Sequence, residues 1–564
     1  MHSKSRKVLA LMLVLGLAAS VAASGCSPKS TETTSKPAEV KAVKGGTLNY
    51  YINEPAYIDP YNTQESEGTN VEQMLFDSLT QVDSKTNTVV PAAAESWTAN
   101  ADNTVFTFKL VPGAKFQDGT PVTAESFVYA WTRIADPKTN PKDPSVISYH
   151  LAAVKGFSEL QDGKATTLAG VKAIDDATFE VTLSEPFGDF PYVVSHPALA
   201  PVPKDAVEKG VDYNGTNVPF AEMPVGNGPF KMSEPWKHDQ YIKVVRNEDY
   251  YGEKANLDGV NWMIFKDEET AFREFQAGTV DFTSIPSGQV KATVEQYGEA
   301  ADGYTVNPGK QTLLGAETAV YYIVLNNKDK SLANPNVRKA INLAINRQAI
   351  CDSIFEGTRK PATNIVPPGV VGYEDGIWKD AKYDVEGAKK ALADAGFPEG
   401  AGLPELTLSF NSGSGHEDIM QLVQADLAKV GIKSKLQGAE WAQYLKQLDE
   451  GKFQIGRLGW IADYPIYDNF IYSIFQSKSG DNKSGYSDPA VDAAIEAARK
   501  EPDAAKRIAD YQAIDATIQA ANPVVPLMYY AHRHVGSARV NNLYYSPMGL
   551  AALDKCWLTD GAAK

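Results

Sequence analysis

The stretch LTLSF, residues 406–410, opens a run in which short apolar segments alternate with amphipathic ones. EDIMQLVQADLAKVG, residues 417–431, follows it, and its apolar spacing predicts a helix that ends at Gly431. FQIGRLGW, residues 453–460, then predicts a second strand. The predicted helix DVEGAKKALADAG, residues 384–396, precedes LTLSF. The resulting order of helix, strand, helix and strand is typical of a βαβ-like unit and favours an α/β fold.

The same alternation of strands and helices continues from residue 45 to the C-terminus without an internal repeat. Alternating Phe106 and Phe108 in VFTFKLV predict a strand, and Thr123 is a plausible N-cap for the helix AESFVYAWTRI. A further predicted helix carries one apolar stripe that would face a core: Val337, Ala340, Ile341, Ala344 and Ile345. Two or three domains are expected, because 564 residues exceed what one core usually serves.

The N-terminus has the features of an export signal. Three bases open the chain: Lys4, Arg6 and Lys7. The apolar run VLALMLVLGLAASVAA follows, and it is too short for a comfortable membrane span. ASGC, residues 23–26, is similar to the bacterial lipoprotein signal, which predicts removal of residues 1–25 and lipidation of Cys26. An ordinary secretory peptide with an incidental cysteine is the alternative, and both interpretations export the protein.

Residues 26–44 are rich in Ser, Thr, Lys and Pro and contain no bulky apolar side chain, so they predict a flexible tether. No later segment is apolar enough to span a membrane. We therefore expect a protein outside the cytoplasm, anchored to the bacterial cell membrane through lipidated Cys26.

The charge balance excludes one class of partner. The chain has 54 lysines and arginines and 70 acids; removing residues 1–25 takes away three bases and no acid, which leaves 51 against 70, or −19. Such a surface argues against a nucleic acid partner. Cys351 and Cys556 remain in the exported chain, and the sequence leaves open whether they pair or stay reduced.

Motifs for catalysis are missing. HEDIM, which begins at His416, has Met420 where a zinc-protease motif has its second histidine. NSGSG, residues 411–415, has the wrong glycine spacing for a nucleophile elbow, and there is no phosphate loop. His532 and His534 would share one face of a strand, but two histidines without a third ligand are weak evidence for a metal. We therefore expect no enzyme activity, no metal and no cofactor.

One carboxylate stands out in GRLGWIADYPIYDNF, residues 456–470, because Asp463 lies among apolar neighbours. Burying an unpaired carboxylate costs several kcal/mol, so such a site either stays wet or receives a cation. Asp463 also follows a predicted strand, where open α/β sheets expose ligand-binding loops. Aromatic residues around a carboxylate suit a ligand with an amine and apolar side chains, although core packing is the simpler explanation for any one of them.

Several stretches together resemble one family. AAAESWTANADNTVFTFKLVPGAKFQDGTPVTAESFVYAWTRIADP, residues 92–137, resembles the signature region of the peptide and nickel class of extracellular solute-binding proteins of ABC importers. VKAIDDATFEVTLSEPF, SHPALAPVPK and NPNVRKAINLAINRQAI are similar to the same family. The likeness is strongest to the oligopeptide-binding proteins, in which Arg, Gly, Trp and Asp recur at the spacing of RLGWIADY. The resemblance implies that Asp463 pairs with the α-ammonium group of a bound peptide.

The resemblance also implies further peptide-binding residues. Gly459 and Ile461 flank Trp460 where the family pairs its backbone with an extended peptide. Trp441 and His416 match residues that line side-chain or C-terminal pockets. The remaining matched positions are Arg457, Tyr464, Tyr322, Tyr149 and Ser66.

The fold implied by the resemblance is α/β, with two lobes around a cleft and an extra domain inserted near the N-terminus. Lobe I would comprise residues 45–76, 200–317 and 532–564, the extra domain 77–199, and lobe II 318–531. Crossings near 317 and 531 would act as hinges. A ligand held between the lobes would favour a closed state that the importer's permease subunits recognise.

Two positions depart from the family pattern. Gln64 stands where well-known members have Glu, and Leu448 where they have an Arg that can meet the peptide carboxylate. These departures leave peptide length open and keep a second interpretation, the same fold with a metal chelate or sugar as cargo. An exported hydrolase is a third interpretation, which the missing catalytic motifs disfavour.

Overall fold

The computed structural model describes residues 43–63, 65–142, 144–286, 288–412, 415–439 and 441–559, without the side chains of Trp441, Ala442 and Leu445. The predicted signal peptide, Cys26 and Gln64 lie outside the described residues, as does the predicted tether up to residue 42. Within the described part, no helix is both long and apolar enough to cross a membrane.

The helices alternate with strands along the whole described chain, which confirms the predicted α/β class. They are Ser66–Leu75, Ala124–Ala135, Phe157–Gln161, Phe190–Val193, Lys204–Lys209, Glu268–Ala277, Val290–Tyr297, Pro335–Ala344, Arg347–Phe355, Val385–Asp394, His416–Lys429, Trp441–Asp449, Tyr467–Phe475, Pro489–Lys500 and Ala504–Ala520. Thr123 is the N-cap of Ala124–Ala135, as predicted, and its backbone N–H donates to Ser126 Oγ at 3.3 Å.

A seven-stranded sheet takes all its strands from the segments assigned to lobe I. In spatial order they are Phe230–Met232, Tyr241–Arg246, Gly259–Ile264, Thr47–Ile52, Phe282–Ser284, His534–Gly536 and Thr312–Leu313. Small antiparallel ladders complete this part of the chain: Val211–Tyr213 with Thr216–Val218, Val540–Asn541 with Trp557–Leu558, and Thr305–Val306 with Leu543–Tyr545 and Ala551–Ala552.

A four-stranded antiparallel sheet lies within residues 77–199. Its spatial order is Ala94–Ala99, Val105–Leu110, Thr178–Thr182 and Val171–Asp175, and the short pair Thr80–Val82 and Val89–Pro91 precedes it. Phe106 and Phe108 are buried, as their alternation predicts. The apolar side chains of this sheet belong to the same continuous core as those of the seven-stranded sheet, so the predicted extra domain and lobe I share one hydrophobic core.

A six-stranded sheet takes its strands from residues 316–531. Its spatial order is Lys360–Pro361, Val524–Ala531, Ala316–Leu325, Ile455–Ile461, Leu406–Asn411 and Ser434–Ala439. The last three strands run parallel, as a βαβ arrangement requires. The sequence did not predict the strand Ser434–Ala439, because no residue of that edge strand is buried and its polar side chains give no apolar pattern. The helix Trp441–Asp449 was also missed.

Each face of the six-stranded sheet has its own hydrophobic core. All five apolar residues of the predicted stripe from Val337 to Ile345 are buried in one of them, which confirms that prediction. Cys351 lies in this core, Cys556 lies in the core of the other sheets, and both are free thiols.

The chain passes between the two large sheets at residues 314–315 and again at 532–533. The backbone N–H of His532 donates to the carbonyl of Gly315 at 3.1 Å, so the two crossings lie side by side.

Candidate functional site

The strand Ile455–Ile461 places the predicted ligand-binding residues. It pairs along its whole length with Ala316–Leu325, with Gly459 opposite Tyr321. On its other side, Leu406–Asn411 pairs only with Ile455 and Gly456. The carbonyl of Arg457 accepts from the Tyr444 hydroxyl at 2.7 Å. Within the described part of the chain, the backbone from residue 458 to 461 therefore has one edge without a strand partner.

Asp463 follows the end of this strand and is held by Asn469. The side-chain amide of Asn469 donates to Asp463 Oδ2 at 2.9 Å, and Asn469 Oδ1 accepts from the Asp463 backbone N–H and from Trp460 Nε1, each at 3.1 Å. The Tyr149 hydroxyl, from the extra domain, donates to Asp463 Oδ1 at 3.3 Å. Sequence reasoning missed Asn469, although it lies in the same quoted stretch, six residues after Asp463.

These partners leave the charge of Asp463 without compensation. No lysine or arginine of the described residues forms an ion pair with it. Burial raises the pKa of Asp463, and the nearby Asp481 carboxylate raises it further, against the lowering effect of the hydrogen bonds from Asn469 and Tyr149. The structure thus keeps the feature that the sequence suggested, a half-buried carboxylate that lacks a cation.

Asp463 opens into a cavity of about 710 Å³ between the predicted extra domain, residues 77–199, and the predicted lobe II, residues 318–531. Tyr149, Trp460 and Tyr464 line the same cavity, so the structure brings together four of the predicted site residues. Tyr464 is 8% exposed, and its hydroxyl is hydrogen-bonded to His150 Nδ1. Tyr149 and His150 are consecutive, as are Asp463 and Tyr464. The two segments therefore contact each other through two adjacent hydrogen bonds, Tyr149 with Asp463 and His150 with Tyr464.

A second group of polar residues lies on the opposite side of the strand from Trp460. Arg457 Nε donates to Asn411 Oδ1 at 2.7 Å, and another nitrogen of its guanidinium contacts His416 Nε2. Burial, followed by the charges of Arg457 and Arg359, lowers the pKa of His416 to about 4, so this imidazole is neutral at pH 7.

Arg359 adds a second guanidinium to this group, and sequence reasoning missed it. Its guanidinium carbon lies 4.1 Å from the ring centre of Phe355 and 4.4 Å from that of Tyr530. Two rings that enclose a cation restrict where its N–H groups point. Leu448, by contrast, is 2% exposed and lies in the core.

The other predicted residues are distributed unevenly. Ile461 is 67% exposed at the end of the strand. A Cβ atom at Gly459 would lie 2.5 Å from the Tyr530 hydroxyl, so only glycine fits there without a shift. Tyr322 is 2% exposed in the core, so its prediction as a ligand contact rests on the resemblance alone.

Ser66 and Trp441 lie apart from Asp463. Ser66 begins the helix Ser66–Leu75 and lines a separate cavity of about 300 Å³ in lobe I. Trp441 begins the helix Trp441–Asp449, and its side chain is outside the described atoms.

The predicted histidine pair packs among aromatic rings. The ring of His534 lies 4.1 Å from that of Tyr545 and stacks on Phe282 at 5.2 Å, and the His532 ring lies 5.0 Å from Tyr545. The described residues contain no cluster of three or more His, Cys, Asp or Glu that could hold a metal ion.

The sequence of this chain matches a known protein family and curated relatives. The sequence model of the bacterial extracellular solute-binding proteins, family 5 (middle), matches residues 88–482. The oligopeptide-binding protein OppA of Bacillus subtilis is 30% identical over 539 residues, which cover 93% of this chain and 94% of that protein.

Solved structures extend the comparison to the fold. The unliganded open form of the periplasmic murein tripeptide-binding protein MppA superposes with a TM-score of 0.79 at 27% identity, over 92% of this chain and 98% of that one. DppA from Helicobacter pylori, in complex with the peptide STSA, gives 0.68 at 27% identity over 92% and 98%. These two-lobed neighbours confirm the predicted two-lobed α/β fold.

Proposed function

The chain belongs to the bacterial extracellular solute-binding proteins of family 5, and we propose that it captures oligopeptides in the cleft between its lobes and delivers them to an ABC importer. The observation that carries this proposal is the edge of residues 458–461 that has no strand partner, with an uncompensated carboxylate at one end and guanidinium groups at the other. An extended peptide presents the complementary features: backbone hydrogen-bonding groups, an ammonium and a carboxylate.

The ammonium of the peptide would meet Asp463. It would supply the cation that the described residues do not provide, and Tyr149 and Asn469 would keep the carboxylate oriented through their hydrogen bonds. Every peptide with a free N-terminus carries this group, so the contact favours peptides whatever their sequence.

The carboxylate of the peptide would meet Arg457 or Arg359. A guanidinium binds a carboxylate through two parallel N–H groups, and both arginines lie on the side of the strand that carries His416. Other family members have an Arg at the position of Leu448, which is buried in the core here. We propose that Arg457 and Arg359 bind the peptide carboxylate in its place and thereby set the preferred peptide length.

The family and the structural neighbours are substrate-binding proteins. We propose that this chain likewise binds its ligand without converting it and needs no cofactor.

Ligand binding should close the lobes. The adjacent crossings at residues 314–315 and 532–533 would be the hinges. The Gly188 N–H donates to the Arg499 carbonyl at 2.9 Å, and Asp189 forms a buried ion pair with Arg507. This contact would be the pivot, because a buried ion pair is costly to break. Small-angle X-ray scattering should therefore show a smaller radius of gyration when a free-ended tetrapeptide saturates the protein. The same tetrapeptide with acetyl and amide ends is the control. An unchanged radius with the free peptide demonstrably bound would contradict closure.

The predicted lipid anchor leads to a separate expectation. Cys26→Ser removes the thiol that would carry the lipid, so the protein should move from the membrane fraction to the soluble fraction of the cell. Ser30→Ala, in the predicted tether, is the matched control and should stay with the membrane. Unchanged membrane association of the Cys26 variant would show that the anchor is wrong.

A further inference from the structure

The cavity beside Asp463 is larger than an ammonium group needs. Its volume is about 710 Å³, its lining comes from residues 149–193 and 460–499, and it includes neither Arg457 nor His416. If a peptide runs along the strand from Asp463 toward Arg457, the side chain of its first residue can occupy this cavity. The side chain of that residue is the part of the ligand that starts from the same Cα as the amine.

The charges around this cavity are unbalanced. Its lining contains four carboxylates, Asp463, Asp468, Asp481 and Glu185, and one guanidinium, that of Arg499. Arg499 Nε pairs with Asp468 Oδ1 at 3.2 Å, and its guanidinium carbon lies 4.4 Å from both the Phe187 and the Tyr472 ring centres. The Glu185 carboxylate also acts on the Arg499 guanidinium. Among the described residues no lysine or arginine forms an ion pair with Asp463 or Asp481. The peptide ammonium would offset one of them, which leaves the cavity acidic.

Asp481 is the best placed of the remaining acids. It lines the same cavity as Asp463 and Tyr149, in an exposed loop, and its charge raises the pKa of both groups. Its backbone is engaged on both sides: the N–H donates to Ser479 Oγ at 3.2 Å, and the carbonyl accepts from the Lys483 N–H at 2.8 Å. Its carboxylate forms no hydrogen bond within the described chain. A carboxylate in this position is free to receive a second cation.

An independent feature points to a polar ligand group in the same cavity. His150 lines it and is 4% exposed, and its Nε2 has no hydrogen-bond partner among the described residues. A buried imidazole nitrogen without a partner costs about 1–3 kcal/mol, which a ligand N–H or a bound water would recover. Trp460 and Tyr149 supply aromatic faces that suit the methylene stem of lysine or the plane of arginine.

From this cavity and its charges we propose that the protein selects peptides whose first residue has a basic side chain, with Asp481 as the residue that recognises the second cation. The inference rests on the proposed peptide-binding function, since it requires the ammonium at Asp463. It adds a substrate class: peptides that begin with lysine or arginine.

The test compares three tetrapeptides by calorimetry: Lys-Ala-Ala-Ala, norleucine-Ala-Ala-Ala and Ala-Ala-Lys-Ala. Norleucine keeps the apolar stem without the charge, and the third peptide keeps the charge at another position. The lysine-first peptide should bind about five- to tenfold more tightly than either of the others, as expected for one charge contact in a partly exposed site.

Asp481→Asn should reduce that ratio to less than about twofold, because the shape of the side chain is kept and its charge is lost. Glu496→Gln is the matched control, since Glu496 is exposed on the helix Pro489–Lys500 and does not line the cavity. It removes the same net charge and should leave the ratio unchanged.

The outcomes separate the two levels of the proposal. Equal affinities for the lysine-first and norleucine-first peptides would overturn the inference and leave peptide binding intact. A preference that survives Asp481→Asn, or that Ala-Ala-Lys-Ala shares, would overturn the role of Asp481 or the position of the basic residue. No binding of any of the three peptides would overturn the proposed function, and the inference with it.

Discussion

Replacing Asp463 by asparagine should weaken peptide binding by about 2–5 kcal/mol, the range for removing one member of a buried charged pair. Asparagine keeps the shape of the side chain, so the hydrogen-bonding positions around Asn469 remain filled. What is lost is the charge that would meet the ammonium. The edge of residues 458–461 without a strand partner is unaffected, so residual binding through backbone pairing should remain.

A thermodynamic cycle separates the ion pair from other effects of the substitution. Calorimetry on wild-type protein and Asp463→Asn, each with a free peptide and with its N-acetylated form, gives the coupling between carboxylate and amine directly. Acetylation should already weaken binding to the wild type and should matter much less to the variant. Glu496→Gln is a charge-matched control and should respond to acetylation as the wild type does. Additive losses, with coupling below about 0.5 kcal/mol, would mean that Asp463 does not meet the amine.

Removing Asp189 should lower the free energy of unfolding by about 3–5 kcal/mol, because it would leave a buried guanidinium without its carboxylate. Arg507 Nε and one terminal nitrogen donate to Asp189 Oδ1 at 2.9 and 2.6 Å, and the side chains of Asp189 and Arg507 are only 11% and 8% exposed. The pair joins the predicted extra domain to the predicted lobe II. Urea unfolding of Asp189→Ala measures the loss.

Two further variants control this prediction. Asp189→Ala combined with Arg507→Leu removes both charges and should recover part of the stability, since no buried charge is left alone. Asp162→Ala breaks the Lys164–Asp162 pair, whose side chains are 57–70% exposed, and should change stability by less than about 1 kcal/mol. If Asp189→Ala destabilised the protein no more than Asp162→Ala, the buried pair would not be a strong link between the domains.

Local sequence patterns predicted much of the fold because their signals lie within a few residues. The alternation of Phe106 and Phe108, the N-cap Thr123 and the stripe from Val337 to Ile345 each depend on neighbours along one strand or helix. The strand Ser434–Ala439 was missed because it is a sheet edge without a buried residue, so its apolar alternation is absent.

The candidate site was only partly predictable for a related reason. Asp463 could be singled out because its apolar neighbours are adjacent in sequence. Tyr149 reaches it from 314 residues away, and the resemblance rather than any local pattern suggested that residue. Arg359 was missed because its role depends on Tyr530, which lies on a distant strand. Such contacts are made by the tertiary fold, and a single sequence contains no local signal for them.

Native mass spectrometry of the protein purified from its own exporting host under gentle conditions tests peptide capture most directly. We expect satellite masses that correspond to peptides of a few residues, which disappear after denaturation and refolding and return when free-ended peptides are added back. Asp463→Asn protein, prepared in the same way, should carry few of them. Bound metal chelates or sugars, or a refolded protein that takes up no member of a peptide library, would contradict the proposal that oligopeptides are its cargo.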